Sequence, residues 1–118
     1  MASDKTTGTA NCVYILANKY NSVFYTGVTN NIFRRMYEHK SGLKEGFAKK
    51  YNCNRLVFYT EVTNIKDAIV LEKKLKMDTR KEKLRIIKQQ NPGMIDLSEG
   101  WEFGELGIPL LYKNRSDS

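Results

Sequence analysis

The sequence predicts a single α+β domain: a small antiparallel three-stranded sheet flanked by helices. A length of 118 residues leaves room for one core of ordinary size. The composition, 41% hydrophobic and 28% charged residues with two prolines and eight glycines, is that of a folded globular protein. The predicted elements follow one another in the order ββαβαα, an arrangement that favours antiparallel pairing.

A hairpin opens the domain. Residues 12–17 and 23–28 are rich in β-branched and aromatic side chains, and the polar segment NKYNS separates them. An even number of loop residues, such as a two-residue turn after Asn18, places Tyr14 directly opposite Tyr25 with both side chains on one face. An odd number would separate them.

Helix-capping residues and apolar spacing predict the remaining elements. The segment Thr29-Asn30-Asn31 supplies a capping signal for one helix, and Asn64 with Asp67 supplies another. Residues 1–10 lack periodicity and predict a disordered leader before a domain at 11–100, with an extension at 101–118. The predicted elements are a helix at 31–41, a long basic loop at 42–54, a strand at 55–62, and helices at 65–79 and 80–90.

Charge and cysteine content narrow the classes of function. A net charge of +7 predicts an anionic partner, with nucleic acid first and an acidic membrane surface second. No apolar run is long enough to cross a bilayer, and no secretory signal is evident, so we expect a cytoplasmic location. Two isolated cysteines and one histidine exclude a zinc site of the usual spacing and a disulfide framework.

Basic residues concentrate in the predicted C-terminal helices. They fill half of the sixteen positions from 73 to 88, against two acidic residues. Such a surface binds phosphates irrespective of sequence, although a merely solubilising charged face is the alternative. The candidate nucleic-acid-binding residues are Lys73, Lys76, Arg80, Lys81 and Lys83.

Glu72 interrupts the apolar stripe of the helix at 65–79. The stripe consists of Ile65, Ala68, Ile69 and Leu75. Because burying an unpaired carboxylate costs several kcal/mol, Glu72 must be paired, line a wet cleft or bind a cation. An ion pair with Lys76, four residues on, is the plainest of these possibilities.

Other polar side chains accompany this carboxylate. Arg35 and His39 are spaced to project from one side of the first helix, where they could jointly face a phosphate. Either could equally be a solvated surface residue, and Tyr14 with Tyr25 could be an ordinary cross-strand pair. Together with Glu72 they are sufficient for metal-assisted phosphodiester cleavage.

These motifs resemble, in order, those of the GIY-YIG nuclease superfamily, in particular its small stand-alone bacterial members. Cys12-Val13-Tyr14 resembles the first motif and Tyr25-Thr26-Gly27 the second. NIFRRMYEHK resembles the Arg-x-x-x-His helix, DAIVLEKKLK the helix with the metal-binding glutamate, and KLRIIKQQNPGMIDL the ending. The chain departs from the family at Cys12, Val13, Thr26 and Met94, none of which removes a group expected to do chemistry.

The resemblance implies a metal-dependent endonuclease that acts on DNA, with Mg²⁺ or Mn²⁺ held by Glu72. The implied catalytic residues are Tyr14, Tyr25, Arg35, His39, Glu72 and Asn91, with Gly27 as a structural residue of the site. A water activated near Tyr14 would attack the phosphorus, and Arg35 or the metal would have to lower the pKa of that tyrosine for it to act as a base. The sequence leaves the DNA structure and the oligomeric state open.

The sequence is also compatible with two other functions. The same fold could be a non-catalytic nucleic-acid-binding module that uses the basic surface at 73–88. Alternatively, its basic helices could dock on an acidic protein partner.

Overall fold

The computed structural model of the chain describes residues 11–42 and 46–101 and contains three strands and four helices within them. The predicted α+β architecture with an antiparallel three-stranded sheet is confirmed. The predicted leader and residues 102–118 of the predicted extension lie outside the described residues. The elements are β1 (Asn11–Ala17), β2 (Phe24–Thr29), α1 (Ile32–Ser41), α2 (Phe47–Lys50), β3 (Arg55–Val62), α3 (Ile65–Met77) and α4 (Arg80–Gln90).

The sheet has the strand order β2-β1-β3, so β1 lies in the centre. Tyr14 pairs with Gly27 and Leu16 pairs with Tyr25. The prediction that Tyr14 and Tyr25 lie directly opposite each other is therefore wrong by two residues. Because side chains alternate with a period of two, the shift keeps both tyrosines on one face, as predicted.

The hairpin loop explains this shift. The Asn18 amide donates to the Val23 carbonyl over 3.2 Å, which closes a loop of four residues instead of two. The Asn18 side-chain oxygen accepts hydrogen bonds from the backbone amides of Ser22, at 2.8 Å, and Val23, at 3.2 Å. Such Asx geometry stabilises the turn, and Asn21 adopts the left-handed conformation with φ of 56°.

The sheet separates two layers of buried side chains. One side, the aliphatic face, packs under α3 and α4. The other side, the tyrosine face, packs under α1 and α2. Buried members of the aliphatic face are Val13, Ile15, Ala17, Val57, Ala68, Leu75, Ile87 and Met94. Buried members of the tyrosine face are Tyr14, Leu16, Met36, Ala48, Cys53 and Leu56.

Helix α3 packs through a different stripe from the predicted one. Ala68 and Leu75 are buried as expected, and Leu71 packs against the aliphatic face. Ile65 and Ile69, predicted to be buried, are 48% and 39% exposed because the packed row passes through positions 68, 71 and 75. The face of the helix that contacts the sheet is thus rotated away from both isoleucines.

One helix boundary differs from the prediction, and the structure contains one short helix that was not predicted. Helix α3 ends at Met77 instead of residue 79 because Asp78 is extended, which lets Thr79 cap α4 through its side chain. The region at 42–54, predicted as a loop, contains the one-turn helix α2. Within the part of the chain that the structure describes, none of the helices combines the length and apolarity needed to cross a bilayer.

Candidate active site

Tyr14 lies at the centre of the candidate site. It is fully buried in the central strand, and Gly27 faces it from β2. A Cβ atom added to Gly27 would lie 2.6 Å from the Tyr14 hydroxyl oxygen and 2.7 Å from its ring carbon Cζ. Only a glycine at position 27 therefore leaves room for the phenol to lie across β2.

Helix α1 supplies an arginine to this phenol. The Arg35 Nη1 atom donates a hydrogen bond to the Tyr14 hydroxyl over 3.2 Å. The Arg35 Nε atom lies 3.4 Å from Oε1 of Glu38, an ion-pair partner that the sequence reasoning did not consider. This i,i+3 contact orients the guanidinium, and the Arg35 side chain as a whole is 24% exposed.

His39 lies one turn further along α1 and completes a cluster of three rings. Its ring centroid is 6.2 Å from that of Tyr14 and 5.9 Å from that of Tyr25. The two tyrosine centroids are themselves 6.2 Å apart. The structure thus brings the Arg35–His39 pair and both tyrosines together.

Burial has the largest effect on the ionisation of Tyr14. Burial raises the pKa of the phenol, and this effect exceeds the lowering by the Arg35 guanidinium. The nearby Tyr25 raises the Tyr14 pKa further. Arg35 by itself thus leaves Tyr14 as a neutral phenol at pH 7, a group that can orient a water molecule but cannot take its proton.

Phe47 of α2 forms a further wall of the site that the sequence reasoning missed. Its ring stacks on Tyr25 with a centroid distance of 6.2 Å and an interplanar angle of 26°. Phe47 is 48% exposed, and its ring also contacts Tyr51 at 4.6 Å. The signal was an aromatic pair spaced by four residues in FAKKY, the spacing of one helical turn.

Glu72 of α3 forms an ion pair with Lys76, which is one of the possibilities that the sequence left open. Its carboxylate accepts a hydrogen bond from the Lys76 ammonium at 2.7 Å, with 13% of the Glu72 side chain and 55% of the Lys76 side chain exposed. Hydrogen bonding to Glu72 raises the pKa of Lys76, and Lys76 lines a cavity together with Tyr25 of the ring cluster. Lys76 therefore links the Glu72 carboxylate to the ring cluster.

An open cavity of about 400 Å³ lies beside this ion pair. Its lining combines aromatic rings with two ammonium groups, from the Lys76 and Lys83 side chains. The lining residues are Phe24, Tyr25, Thr26, Phe47, Lys76 and Lys83. The cavity thus gives one tyrosine of the cluster access to solvent beside positive charge.

Asn91, implied as a polar residue of the catalytic centre, has a structural role here. Its side-chain nitrogen donates to the carbonyls of Val57 and Ile95 over 3.0 and 2.8 Å. Its side-chain oxygen accepts from the Ile95 amide over 3.1 Å. Asn91 is 3% exposed, and its partner Val57 belongs to the aliphatic face. The Asn91 amide therefore holds the segment that follows α4 in place, and its hydrogen bonds do not involve the tyrosine cluster.

The basic surface is less uniform than its composition indicates. Arg80 donates to the carbonyls of Asn21 and Ser22 and lies 5.2 Å over the Phe24 ring, so it holds the hairpin loop against α4. Lys74 pairs with Asp78 at 2.9 Å. Among the predicted phosphate-binding residues, Lys73, Lys81 and Lys83 extend from α3 and α4 without a hydrogen bond or ion pair in the described part of the chain.

Acidic and other metal-ligating side chains do not form clusters in the part of the chain that the structure describes. Among residues 11–42 and 46–101, no three His, Cys, Asp or Glu side chains converge on one point. Burial raises the pKa of the Cys12 thiol to about 12, which makes this cysteine an inert core residue. Glu72 is connected to the cavity beside Tyr25 through its partner Lys76, which lines that cavity.

Fold and site together define a nuclease-type α+β domain. The GIY-YIG catalytic domain family matches residues 10–85, which include Tyr14, Tyr25, Arg35, His39 and Glu72 but not Asn91. The chain belongs to this family of nuclease domains.

Three bacterial relatives match most of the chain, and each is called a UPF0213 protein, a name that states no activity. One from Clostridium perfringens (strain 13 / Type A) is 33% identical over 81 residues, 69% of this chain and 86% of the relative. One from Syntrophus aciditrophicus (strain SB) is 38% identical over 86 residues, 70% and 93% of the two chains. One from Limosilactobacillus reuteri (strain DSM 20016) is 31% identical over 87 residues, 72% and 90%. No solved structure matches the chain significantly.

Proposed function

We propose that the protein is a metal-dependent endonuclease that hydrolyses phosphodiester bonds of DNA, with one active site per chain. The observation that carries this proposal is the 3.2 Å hydrogen bond from Arg35 to the Tyr14 hydroxyl inside the ring cluster. A buried phenol, a guanidinium and an imidazole at one point supply groups that bind a phosphate and handle the proton of an attacking water.

Arg35 is the group suited to the scissile phosphate. Guanidinium N–H groups match phosphate oxygens in geometry and charge, and they stabilise the extra negative charge of a five-coordinate transition state. The ion pair with Glu38 and the hydrogen bond to Tyr14 hold the Arg35 side chain in place before substrate arrives. Such preorganisation makes the interaction more effective in the transition state.

The tyrosines and His39 divide the proton chemistry. The water oxygen forms a bond to phosphorus while the bond from phosphorus to the 3′ oxygen breaks. Tyr14, kept neutral by burial, orients the water through its hydroxyl. The His39 imidazole, directly or through Tyr25, takes the proton that the water loses, and the departing 3′ oxygen takes a proton from solvent.

Glu72 is the residue that would hold the metal ion. A single carboxylate fits Mg²⁺ or Mn²⁺, hard cations that retain several waters and accept phosphate oxygens as further ligands. The low exposure of Glu72 and its need for a positive partner suit it to a cation. When bound, the ion supplies stabilisation of the negative charge on the leaving oxygen.

The cationic side chains of α3 and α4 support nucleic acid as the partner. Lys73, Lys81 and Lys83 would contact backbone phosphates irrespective of sequence, and such contacts weaken as salt concentration rises. Arg80 contributes mainly by fixing the hairpin loop that precedes Tyr25. This proposal assigns no catalytic role to Asn91.

One observation favours a second function, a non-catalytic nucleic-acid-binding module. The Glu72 carboxylate is already neutralised by Lys76, as it would be in a protein that no longer binds a cation there. Such a module would bind DNA in a salt-sensitive manner and yield no product in any metal.

The test uses labelled duplex, flap, Y-form, four-way-junction and single-stranded DNA in Mg²⁺, Mn²⁺ or EDTA. We expect cleavage with either metal and none in EDTA. Glu72→Gln should lower the rate by about 10³-fold, because charge stabilisation in the transition state is lost. The structure preferred among the five would define the substrate.

A matched control separates the role of Glu72 from general charge removal. Glu82 of α4 is also a helical glutamate in a local ion pair, with Arg85. Glu82→Gln should retain the rate within about twofold, as exposed helical pairs contribute little. Undiminished cleavage by Glu72→Gln would disprove the site, whereas binding without cleavage under every condition would favour the non-catalytic module.

A further inference from the structure

The Glu72–Lys76 ion pair differs from its neighbour on the same helix in what surrounds the ammonium group. Lys74 pairs with Asp78 at the end of α3. Lys76, by contrast, lines the cavity that also contains Tyr25 and Lys83. Both lysine side chains are 55% exposed, so both ammonium groups are equally able to move.

The two side chains of the Glu72–Lys76 pair differ in their exposure to solvent. Glu72 is 13% exposed and anchored on the packed side of α3, whereas the Lys76 stem reaches over the cavity. Because more than half of the Lys76 side chain is exposed, water competes for its ammonium group, whereas the little-exposed Glu72 carboxylate needs some cation beside it. A stronger cation can therefore displace the ammonium from the carboxylate at little cost.

We propose that Lys76 is an exchangeable counter-ion: it neutralises Glu72 in the free enzyme and moves into the Tyr25 cavity to bind a substrate phosphate when a divalent cation takes the carboxylate. The inference rests on the proposed function, since it needs a cation at Glu72 and a phosphate near Tyr25. Lys83, which also lines the cavity, adds a second positive charge there.

This exchange couples metal and substrate binding. With a divalent cation held by Glu72, the Lys76 ammonium would be repelled and would turn towards the phosphate; with a phosphate on Lys76, the Glu72 carboxylate would be open to the cation. Each ligand consequently raises the affinity for the other by the same factor. Lys76 acts as a positioning residue in this scheme, because its effect on the cation is exerted through Glu72.

Mn²⁺ binding to the purified protein, followed by electron paramagnetic resonance without DNA, tests the exchange. Lys76→Met should tighten Mn²⁺ binding about three- to tenfold, because a competing positive charge is removed. Lys74→Met, the matched control, should leave the Mn²⁺ affinity within about twofold. Lys76→Arg should keep the affinity close to that of the original protein, since it retains the charge.

A second measurement follows DNA binding by fluorescence anisotropy, in EDTA and in Ca²⁺. Ca²⁺ should tighten DNA binding by the original protein and by Lys74→Met, and the gain should shrink at least threefold in Lys76→Met. If Glu72→Gln abolishes Mn²⁺ binding while Lys76→Met leaves it unchanged, the exchange is disproved and the proposed metal residue stands. If the original protein and Lys76→Met both fail to bind Mn²⁺, the exchange and the proposed metal dependence fall together.

Discussion

The two faces of the sheet are formed by the same strands, but their buried side chains differ in polarity. On the aliphatic face, Val13 and Ile15 pack under two long helices, with hydrocarbon contacts throughout the layer. On the tyrosine face, the intervening Tyr14 is equally buried but carries a hydroxyl that Arg35 must satisfy. The comparison teaches that burial on one face stabilises the fold, while burial on the other holds polar groups in a reactive arrangement.

The helices that cover the two faces match this division. Helices α3 and α4, of 13 and 11 residues, cover the aliphatic face with apolar rows. Helix α1 has 10 residues with a single buried member, Met36, and α2 has only four. The helices that cover the tyrosine face are thus shorter than those that cover the aliphatic face.

The largest change in stability is expected where a polar residue serves the aliphatic face. Asn91→Ala would leave the backbone groups of Val57 and Ile95 without their side-chain partner in a buried position. We expect a loss of about 2–4 kcal/mol of unfolding free energy, measured by urea denaturation. Cleavage per folded molecule should persist within about threefold. A thousandfold loss of rate at full stability would show that Asn91 belongs to the active site.

A smaller loss is expected from a methyl group added to the tyrosine face. Gly27→Ala would force the Tyr14 ring away from β2, at a cost of about 1–3 kcal/mol, and would disturb the hydrogen bond from Arg35. Gly93→Ala is the control, because its Cβ would meet its nearest neighbour atom at 3.5 Å, an ordinary contact. Equal thermal stability of the two variants would contradict the close packing of Tyr14 on Gly27.

Asp96, a structural carboxylate beside the tyrosine face, should make the stability of the protein depend on pH. Burial raises the pKa of Asp96, but Lys40 and the hydrogen bonds from Ser98 and Leu56 outweigh it, so the pKa is lowered overall. Its contribution is therefore present above about pH 4, the pKa of an unfolded aspartate, and is lost as pH falls through the lower folded value.

Asp96→Asn should accordingly lower the unfolding free energy by about 1–2 kcal/mol at pH 7. The difference from the original protein should begin to shrink as the pH falls below about 4, where the unfolded aspartate takes up its proton, and it should be lost once the folded carboxyl is protonated at a lower pH. Urea denaturation at pH 7 and at pH 3 measures it. A difference that stays constant over this range would mean that the Asp96 charge does not stabilise the fold.

The sequence predicted those features that depend on short-range patterns. The order of the elements, the capping signal before α1 and the shared face of both tyrosines follow from side-chain period and cap residues. The hairpin register could not be predicted, since it depends on hydrogen bonds that the Asn18 side chain makes within the loop.

Other features required the packed structure. Helix α2 is too short to produce a periodic signal, so its Phe47 contact with Tyr25 remained hidden. The exposure of Ile65 and Ile69 depends on how α3 rotates over the sheet. The raised pKa of Tyr14 depends on the balance between desolvation and one guanidinium, which no sequence pattern reports.

The most direct test of the comparison changes two adjacent residues of β1, one on each face. Tyr14→Phe removes one hydroxyl from the tyrosine face and should lower the single-turnover cleavage rate about 10²–10³-fold, with little change in the melting temperature. Ile15→Val removes one methylene from the aliphatic face and should cost about 0.5–1.5 kcal/mol of stability at an unchanged rate. Undiminished cleavage by Tyr14→Phe would contradict the assignment of the tyrosine face as the active site.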